Sequence, residues 1–228
     1  MIWKPAPTAP YHSLLVPTVD SARTKYILQV CVANKLHSLS VGVTGTGKTV
    51  LINQILSELD ESNWKITNII CSSQTSSIKT QEMIEGKMVR RTKTKMVPDG
   101  KKMVIYVDDL NMPKKDTYGS QPPLELLRQW MDYGGWFDRT QNEIFKKIED
   151  IQFISSMGPP GGGRNEISRR MQTKFLMINF TFPSEAQVRR IFQNILSHKF
   201  LTQDFDDEIK QISETLAYAT INLYNAIA

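Results

Sequence analysis

The sequence predicts an α/β fold built on a parallel sheet, and three observations support this prediction. First, five short segments are almost continuously apolar, which is typical of strands that are buried on both faces. Second, helical patterns fall between these segments, as expected for a parallel sheet covered by helices. Third, a glycine-rich loop separates the first segment from an amphipathic stretch. The five predicted strands are Ser38–Val43, Ile66–Cys71, Met103–Val107, Ile151–Ser155 and Phe175–Phe180.

Helix signals flank and follow these strands. Pro122-Pro123 opens an amphipathic stretch that Gly134-Gly135 closes, so a helix is predicted between the third and fourth strands. After Pro183 the pattern is helical only. It opens with a capping box of Ser184 and Gln187, and a second helix is predicted over 209–223. We therefore expect a large α/β domain over 1–183 and the start of a truncated helical domain over 184–228.

Composition places the chain among ordinary globular proteins. It has 228 residues, of which 40% are hydrophobic and 22% charged, and no apolar run reaches membrane-spanning length, so no membrane partner is expected. Its two cysteines, Cys31 and Cys71, lack metal-site spacing, which favours a reducing, cytoplasmic setting. Much of the net charge of +5 lies between Lys87 and Lys102. A solvated helix end and loop is the favoured interpretation of this run. A nucleic-acid patch remains the alternative, and salt-dependent binding would reveal it.

The glycine-rich loop carries the strongest chemical signal. It has the pattern G-x-x-x-x-G-K-T, the phosphate-binding P-loop, in which backbone N–H groups and the start of a helix surround phosphate oxygens. Lys48 is expected to reach the β- and γ-phosphates, and the Thr49 hydroxyl is expected to bind Mg²⁺. The predicted nucleotide-binding residues of this loop are Gly42, Val43, Thr44, Gly45, Thr46, Gly47, Lys48 and Thr49.

An acid pair follows the third predicted strand. Asp108 and Asp109 come after a run of apolar residues, which is the companion signature of P-loop ATPases known as Walker B. Asp108 is predicted to hold Mg²⁺, and Asp109 to orient or activate the attacking water. Most ATPases of this kind carry Glu at the second position. Because Asp is about 1 Å shorter, and a misplacement of that size can cost about 100-fold in rate, we expect slow or absent hydrolysis.

Four segments together resemble dynein heavy chains, specifically the third AAA+ module of the motor ring in axonemal types. They are GVTGTGKT, VDDLNMP, YGSQPPLELLRQWMDYGGWFD and MGPPGGGRN. The resemblance covers nearly the whole chain and implies an AAA+ P-loop NTPase fold. It implies a five-stranded parallel sheet with helices on both faces, followed by a partial helical lid. Nucleotide would bind between neighbouring modules of one ring.

The resemblance also implies roles outside the two motifs. Val16-Pro17-Thr18 matches the segment that packs on adenine, and Arg170 matches an arginine finger that acts in trans on the adjacent module's site. The other interpretation of Arg170 is a surface residue paired with Glu166 or a similar acidic residue. Related modules place a polar sensor residue, usually Asn, where this chain has Gly158, and Asn165 cannot be assumed to replace it. Two further departures follow the finger position, at Met171 and Thr173. Gly161–Gly163 is expected to be a mobile connecting loop.

The predicted function is therefore a regulatory module that binds ATP or ADP with Mg²⁺ and turns it over slowly or not at all. Its partners would be neighbouring AAA+ modules of a dynein ring, with microtubules reached only through the full heavy chain. Its location would be the cytoskeleton of the cilium or flagellum, in the axoneme. No nucleic-acid partner is expected. The alternatives are a free-standing P-loop ATPase or kinase and a nucleic-acid-handling AAA+ protein.

Overall fold

The computed structural model describes Trp3 and residues 14–138, 144–202 and 205–227. The chain divides into two compact units. The larger unit is Lys25–Thr181, and the smaller one comprises the described residues within Met1–Thr24 and Phe182–Ala228. Helix α1 covers Val19–Ala33.

The main sheet of the larger unit has five parallel strands in the order β2-β5-β8-β1-β9. All five predicted strands are therefore confirmed, with small differences at their ends. The largest differences are at β2, which begins at Trp64, and at β8, which extends to Met157. The strands are β1 (Ser38–Gly42), β2 (Trp64–Ile70), β5 (Lys102–Asp108), β8 (Ile151–Met157) and β9 (Leu176–Phe180).

Only the inner strands are buried on both faces. Residues 103–107 of β5 and all of β8 are buried, whereas β2 and β9 lie at the sheet edges and expose part of their length. Ile70 of β2, for example, is 75% exposed. The expectation of burial on both faces was thus wrong for the two edge strands, which have a hydrogen-bonded neighbour on one side only.

The strand order places a crevice at the end of β1. This first strand lies between β8 and β9, the last two strands of the sheet in chain order, so the chain winds in opposite directions on its two sides. In parallel sheets, ligands collect outside the carboxyl ends of strands at such a switch point. The pairs Val41 with Met157 and Ile70 with Asp108 show that the carboxyl ends of four strands reach the same edge.

Helices connect the strands and cover the sheet. The helix predicted after Pro122-Pro123 is confirmed as α4, and its apolar stripe contributes Leu124, Leu127 and Trp130 to the core. The helices of this unit are α2 (Lys48–Ser57), α3 (Ser77–Glu85), α4 (Pro122–Tyr133) and the short α5 (Arg169–Gln172).

A second, mixed sheet of four short strands was not predicted. Its order is β3-β4-β7-β6, and it includes much of the basic run, which forms an antiparallel hairpin instead of the expected helix end and loop. The four residues of β3 are all exposed, so no buried apolar pattern marks this strand. The strands are β3 (Val89–Thr92), β4 (Lys95–Val97), β6 (Gly135–Phe137) and β7 (Phe145–Ile148).

The smaller unit is helical after Phe182. Its helices are α6 (Glu185–Thr202), α7 (Asp207–Gln211) and α8 (Ser213–Ile227). The predicted capping box is confirmed, because the Ser184 N–H donates to Gln187 Oε1 at 3.0 Å and the Gln187 N–H donates to Ser184 Oγ at 3.4 Å. The single helix predicted over 209–223 is instead two, separated at Ile212. Among the described helices, none is both long and apolar enough to cross a membrane.

Candidate functional site

The P-loop lies between the end of β1 and the first turn of α2. Gly45 and Gly47 have φ values of 87° and 80°, a conformation that residues with a side chain rarely adopt. Gly47 is the N-cap of α2 and offers no side-chain cap, so the first N–H groups of this helix have no side-chain acceptor. A loop of this conformation at a helix start attracts phosphate oxygens through its N–H groups and the helix dipole.

The Lys48 ammonium lies against its own loop. Its Nζ donates to the carbonyl oxygens of Gly42 at 2.7 Å and Val43 at 2.8 Å, and to Thr46 Oγ1 at 3.3 Å. Burial lowers its pKa, and the charge of Arg164 lowers it further, whereas Asp108 and Asp109 act in the opposite direction. The structure therefore brings two cations and two carboxylates close enough to influence one another at the sheet edge.

Asp108 lies at the end of β5 and contacts Thr49. The Thr49 hydroxyl donates to Asp108 Oδ2 at 3.1 Å, and the Ser156 hydroxyl donates to Asp108 Oδ1. The phenol of Tyr106 shares a hydrogen bond of 3.0 Å with Ser156, and burial raises its pKa well above the usual value, so it stays neutral. These contacts fix the carboxylate beside the P-loop threonine.

This pair of oxygen ligands fits Mg²⁺. Mg²⁺ is usually held in nucleotide sites by one or two protein oxygen ligands, substrate phosphates and water. Thr49 and Asp108 supply a hydroxyl and a carboxylate, and the described residues contain no cluster of three or more His, Cys, Asp or Glu that could form a separate metal cage. The donor set therefore agrees with a magnesium ion that depends on nucleotide phosphates for its remaining ligands.

Asp109 has an unusual backbone conformation, with φ of 53°. Its N–H donates to Asp108 Oδ1 at 3.0 Å, and its carbonyl accepts the Met112 N–H at 2.9 Å. Its side chain is half-buried, and within the described ranges its carboxylate accepts no hydrogen bond. Cys71 is close by, and burial raises the pKa of its thiol to about 12, with Asp109 and Asp108 adding to the effect. This cysteine is therefore a neutral neighbour of the acid pair.

Gly158 directly follows β8, at the position expected for a polar sensor residue. The two nearby asparagines make other contacts. The Asn111 amide donates to Gly158 O at 2.8 Å, and the Asn165 amide donates to Pro113 O at 2.9 Å. As far as the structure is described, neither amide contacts the P-loop, so both serve the connecting segments instead.

Arg164 reaches the P-loop, which the sequence analysis missed. Its Nη2 donates to Thr44 Oγ1 at 3.3 Å. Gly161 and Arg164 exchange two backbone hydrogen bonds of 3.0 Å, so the triple-glycine segment makes a tight turn that directs Arg164 back to the sheet. The available signal was an arginine directly after three glycines that follow a central strand. A comparable signal for the contact with Asp108 was Ser156, a small polar residue directly after the predicted strand Ile151–Ser155.

Arg170 lies away from the P-loop contacts, on the short helix α5. It is exposed and lines an open cleft of about 640 Å³ together with Tyr118 and Glu166. Among the residues that the structure describes, Arg170 forms no salt bridge, so the expected alternative of a pair with Glu166 is not observed. Its predicted role in trans stays a prediction.

Val16-Pro17-Thr18 belongs to the smaller unit. Val16 is buried, and Thr18 caps α1 by accepting the Ser21 N–H at 3.1 Å, while the Thr18 N–H donates to Ser21 Oγ at 2.8 Å. The segment therefore fixes the start of a helix. Its predicted contact with adenine stays a prediction.

Comparison with known proteins decides the family. A model of the P-loop containing dynein motor region matches residues 3–183. The chain belongs to this dynein family. It is 46% identical over 226 residues to dynein axonemal heavy chain 2 of Mus musculus and 44% identical over 227 residues to the dynein-1-beta heavy chain, flagellar inner arm I1 complex, of Chlamydomonas reinhardtii. Each alignment covers 99% of this chain and 5% of the relative, so the dynein chain described here spans about one twentieth of those proteins.

The solved structures agree on the fold of this dynein chain. A mutant of RuvB from Thermogota maritima aligns with a TM-score of 0.51, covering 93% of this chain and 65% of the other at 13% identity. Likeness at this identity supports the fold alone, and it confirms the predicted AAA+ architecture of a five-stranded parallel sheet followed by helices. The resemblance to axonemal dynein heavy chains is likewise confirmed. The assignment to the third module of the ring stays a prediction.

Proposed function

We propose that this chain is a regulatory AAA+ module of an axonemal dynein, the third of its ring, which binds Mg-ATP or Mg-ADP and hydrolyses ATP slowly or not at all. The observation that carries the proposal is the contact between Thr49 and Asp108, at 3.1 Å, beside a P-loop with no side-chain cap on its helix. This arrangement brings the P-loop and the Asp108 carboxylate, the proposed metal ligand, to one edge of the sheet.

Binding depends on groups that the fold already holds in position. The N–H groups of the P-loop and the Lys48 ammonium would hold the β- and γ-phosphates, and Lys48 would exchange its present carbonyl contacts for phosphate oxygens. Thr49 and Asp108 would hold Mg²⁺, which supplies positive charge to the phosphate oxygens when it is bound. Because Ser156 and Tyr106 fix Asp108, little reorganisation is needed on the protein side.

Slow hydrolysis is proposed from the groups around the attacking water. Asp109 is one methylene shorter than the usual Glu, and Gly158 offers no side chain to orient water. The loss of a general base or of its alignment typically costs about 10²- to 10⁴-fold in rate. Neither position changes Lys48, Thr49 or Asp108, so nucleotide would still bind while its hydrolysis is slow.

The regulatory role follows from partners that lie outside this chain. Arg170 is exposed and free of salt bridges among the described residues, as an arginine that serves the neighbouring module's nucleotide would need to be. A nucleotide can shift a conformational equilibrium only through a difference in affinity for two states. The bound nucleotide would therefore favour one arrangement of the axonemal ring, and microtubule contact would be made elsewhere in the heavy chain.

The proposal is tested by comparing the nucleotide affinity of the wild type with that of the variant Lys48→Ala. We expect saturable binding of fluorescent Mg-ADP to the 228-residue chain and a loss of at least about 10-fold in affinity in Lys48→Ala, because charge-assisted contacts to phosphate are lost. Lys93→Ala is the matched control, since Lys93 is exposed and lies in a turn, and it should bind as the wild type does. Equal binding by Lys48→Ala and wild type would contradict the proposed site.

A further inference from the structure

The Arg164 guanidinium lies beside the P-loop and, among the described residues, forms no salt bridge. Its contact with the loop is the 3.3 Å hydrogen bond from Nη2 to Thr44 Oγ1. Its Nε is buried and has no hydrogen-bond partner, and within the described part of the chain no carboxylate lies in salt-bridge range of it. A buried donor of a charged group without a partner is costly, because the group has lost water and gained nothing in exchange.

Gly158 makes room for this arginine. A Cβ atom at position 158 would lie 2.6 Å from Arg164 Nε and 2.7 Å from its Cδ, distances that real Cβ atoms essentially never show. The space that a sensor side chain would fill after β8 is therefore occupied by the arginine side chain. The Arg164 side chain can therefore take this position only because residue 158 has no side chain.

Arg164 also lies on the appropriate side of the loop. It follows β8, which pairs with both β1, leading into the P-loop, and β5, which ends at Asp108. Thr49 and Asp108 would hold Mg²⁺ at this edge of the sheet, where it would supply positive charge to the phosphates of the nucleotide. A cation placed beside the P-loop at this edge is positioned for the terminal phosphate, where an ATP carries charge that an ADP lacks.

We propose that Arg164 binds the terminal phosphate of the nucleotide in its own P-loop, in the place usually taken by a polar sensor side chain, and so makes the site prefer ATP over ADP. This inference rests on the proposed nucleotide-binding function. It differs from the role of Arg170, which would act on a neighbouring module. Here the arginine and the nucleotide belong to the same chain, and the partner that the buried Nε lacks is a phosphate oxygen.

The test compares affinities for two Mg²⁺-loaded probes, ADP and the non-hydrolysable β,γ-imido analogue of ATP, so it does not depend on turnover. We expect Arg164→Ala to lose about 10-fold in affinity for the ATP analogue and less than about 2-fold for ADP, since one charge-assisted contact is removed from one ligand only. Arg164→Lys should retain part of the preference. Arg91→Ala, which removes an exposed arginine of β3, should bind both probes as the wild type does.

A second variant removes the contact without removing the charge. Gly158→Ala should displace the Arg164 side chain from the P-loop, because the added Cβ takes its space and the side chain is flexible. It should reproduce the loss of ATP preference at an unchanged melting temperature. Equal losses for both probes, or an unchanged preference in both Arg164→Ala and Gly158→Ala, would overturn the inference while leaving Lys48-dependent binding intact. Absence of binding in the wild type would overturn the proposed function as well.

Discussion

At the scale of single residues, the short side chain of Asp109 is compatible with the unusual backbone conformation at this position. Its φ of 53° lies in the left-handed region, which Asp and Asn adopt more readily than longer side chains such as Glu. The peptide turns sharply there, with the Asp109 N–H bonded to Asp108 Oδ1 at 3.0 Å. The short side chain of Asp109 therefore suits the turn after Asp108, the proposed metal ligand, at the expense of reach toward a water molecule.

Replacing Asp109 by Asn separates binding from hydrolysis. Asn adopts the same backbone conformation, so we expect Asp109→Asn to keep Mg-ADP affinity within about 2-fold and the free energy of unfolding within about 0.5 kcal/mol. Residual hydrolysis in a single-turnover assay should fall by about 10²-fold or more, because the candidate base is removed. Asp99→Asn, at an exposed loop position, is the control. Unchanged residual hydrolysis in Asp109→Asn would exclude Asp109 as the base.

At the scale of elements, the second sheet is attached to α3 by a buried ionic cluster. The Lys146 ammonium lies 2.7 Å from Glu85 Oε2 and 2.8 Å from Asp138 Oδ2, and Lys146 is only 5% exposed. The Trp136 indole also donates to Glu85 Oε1 at 2.8 Å. Two carboxylates, one at the end of α3 and one directly after β6, thus share one buried cation.

The variant Lys146→Met tests how much this cluster contributes to the free energy of unfolding. Removing one partner of a buried ion cluster typically costs about 3–5 kcal/mol, because the remaining charges stay buried without their counterion. We expect a loss of that order in the free energy of unfolding by urea. The neighbouring Lys147→Met is a matched control, since Lys147 is exposed and its 3.1 Å pair with Glu149 should be worth less than about 1 kcal/mol. Equal losses in the two variants would show that the buried cluster stabilises the fold no more than the exposed ion pair does.

The same elements show which parts of the fold and of the site can be predicted from the sequence and which cannot. The main-sheet strands were predictable because runs such as 103–107 are apolar without interruption and fully buried. The strands β3 and β4 were not predictable, because β3 is exposed throughout and the ion pair between Lys146 and Glu85 joins residues far apart in the chain. In the site, motif spacing predicted Lys48, Thr49 and Asp108 as neighbours. Arg164 was missed because its place depends on a turn after β8, which no local pattern specifies.

At the scale of the whole molecule, a half-buried histidine makes stability depend on pH. His37 packs against Trp130 and Phe153, and its Nδ1 accepts the Phe153 N–H at 3.1 Å. Burial lowers its pKa from 6.5 to about 4. Between pH 6.5 and 4, His37 binds a proton in the unfolded state but not in the folded state. Its contribution to the free energy of unfolding is therefore complete above pH 6.5 and is lost as the pH falls toward 4.

His37→Asn should remove this dependence while keeping a hydrogen-bond acceptor. We expect the stability of the wild type relative to His37→Asn to be constant above pH 7 and to fall by about 1.4 kcal/mol for each pH unit below 6.5, as measured by urea unfolding. Comparing the two proteins at each pH cancels the contribution of the carboxylates. A constant difference from pH 7 to 5 would show that His37 takes up a proton as easily in the folded chain as in the unfolded one.

The central claim concerns the molecule as a whole, which we propose binds nucleotide and hydrolyses ATP slowly. The most direct test mixes Mg-ATP with an excess of the chain and follows bound nucleotide and released phosphate in the same samples, with Lys48→Ala as the blank. We predict saturable, Lys48-dependent binding with a single-turnover rate below about 1 s⁻¹, a usual enzyme rate. Faster hydrolysis by the chain alone, or binding that Lys48→Ala does not weaken, would contradict the claim.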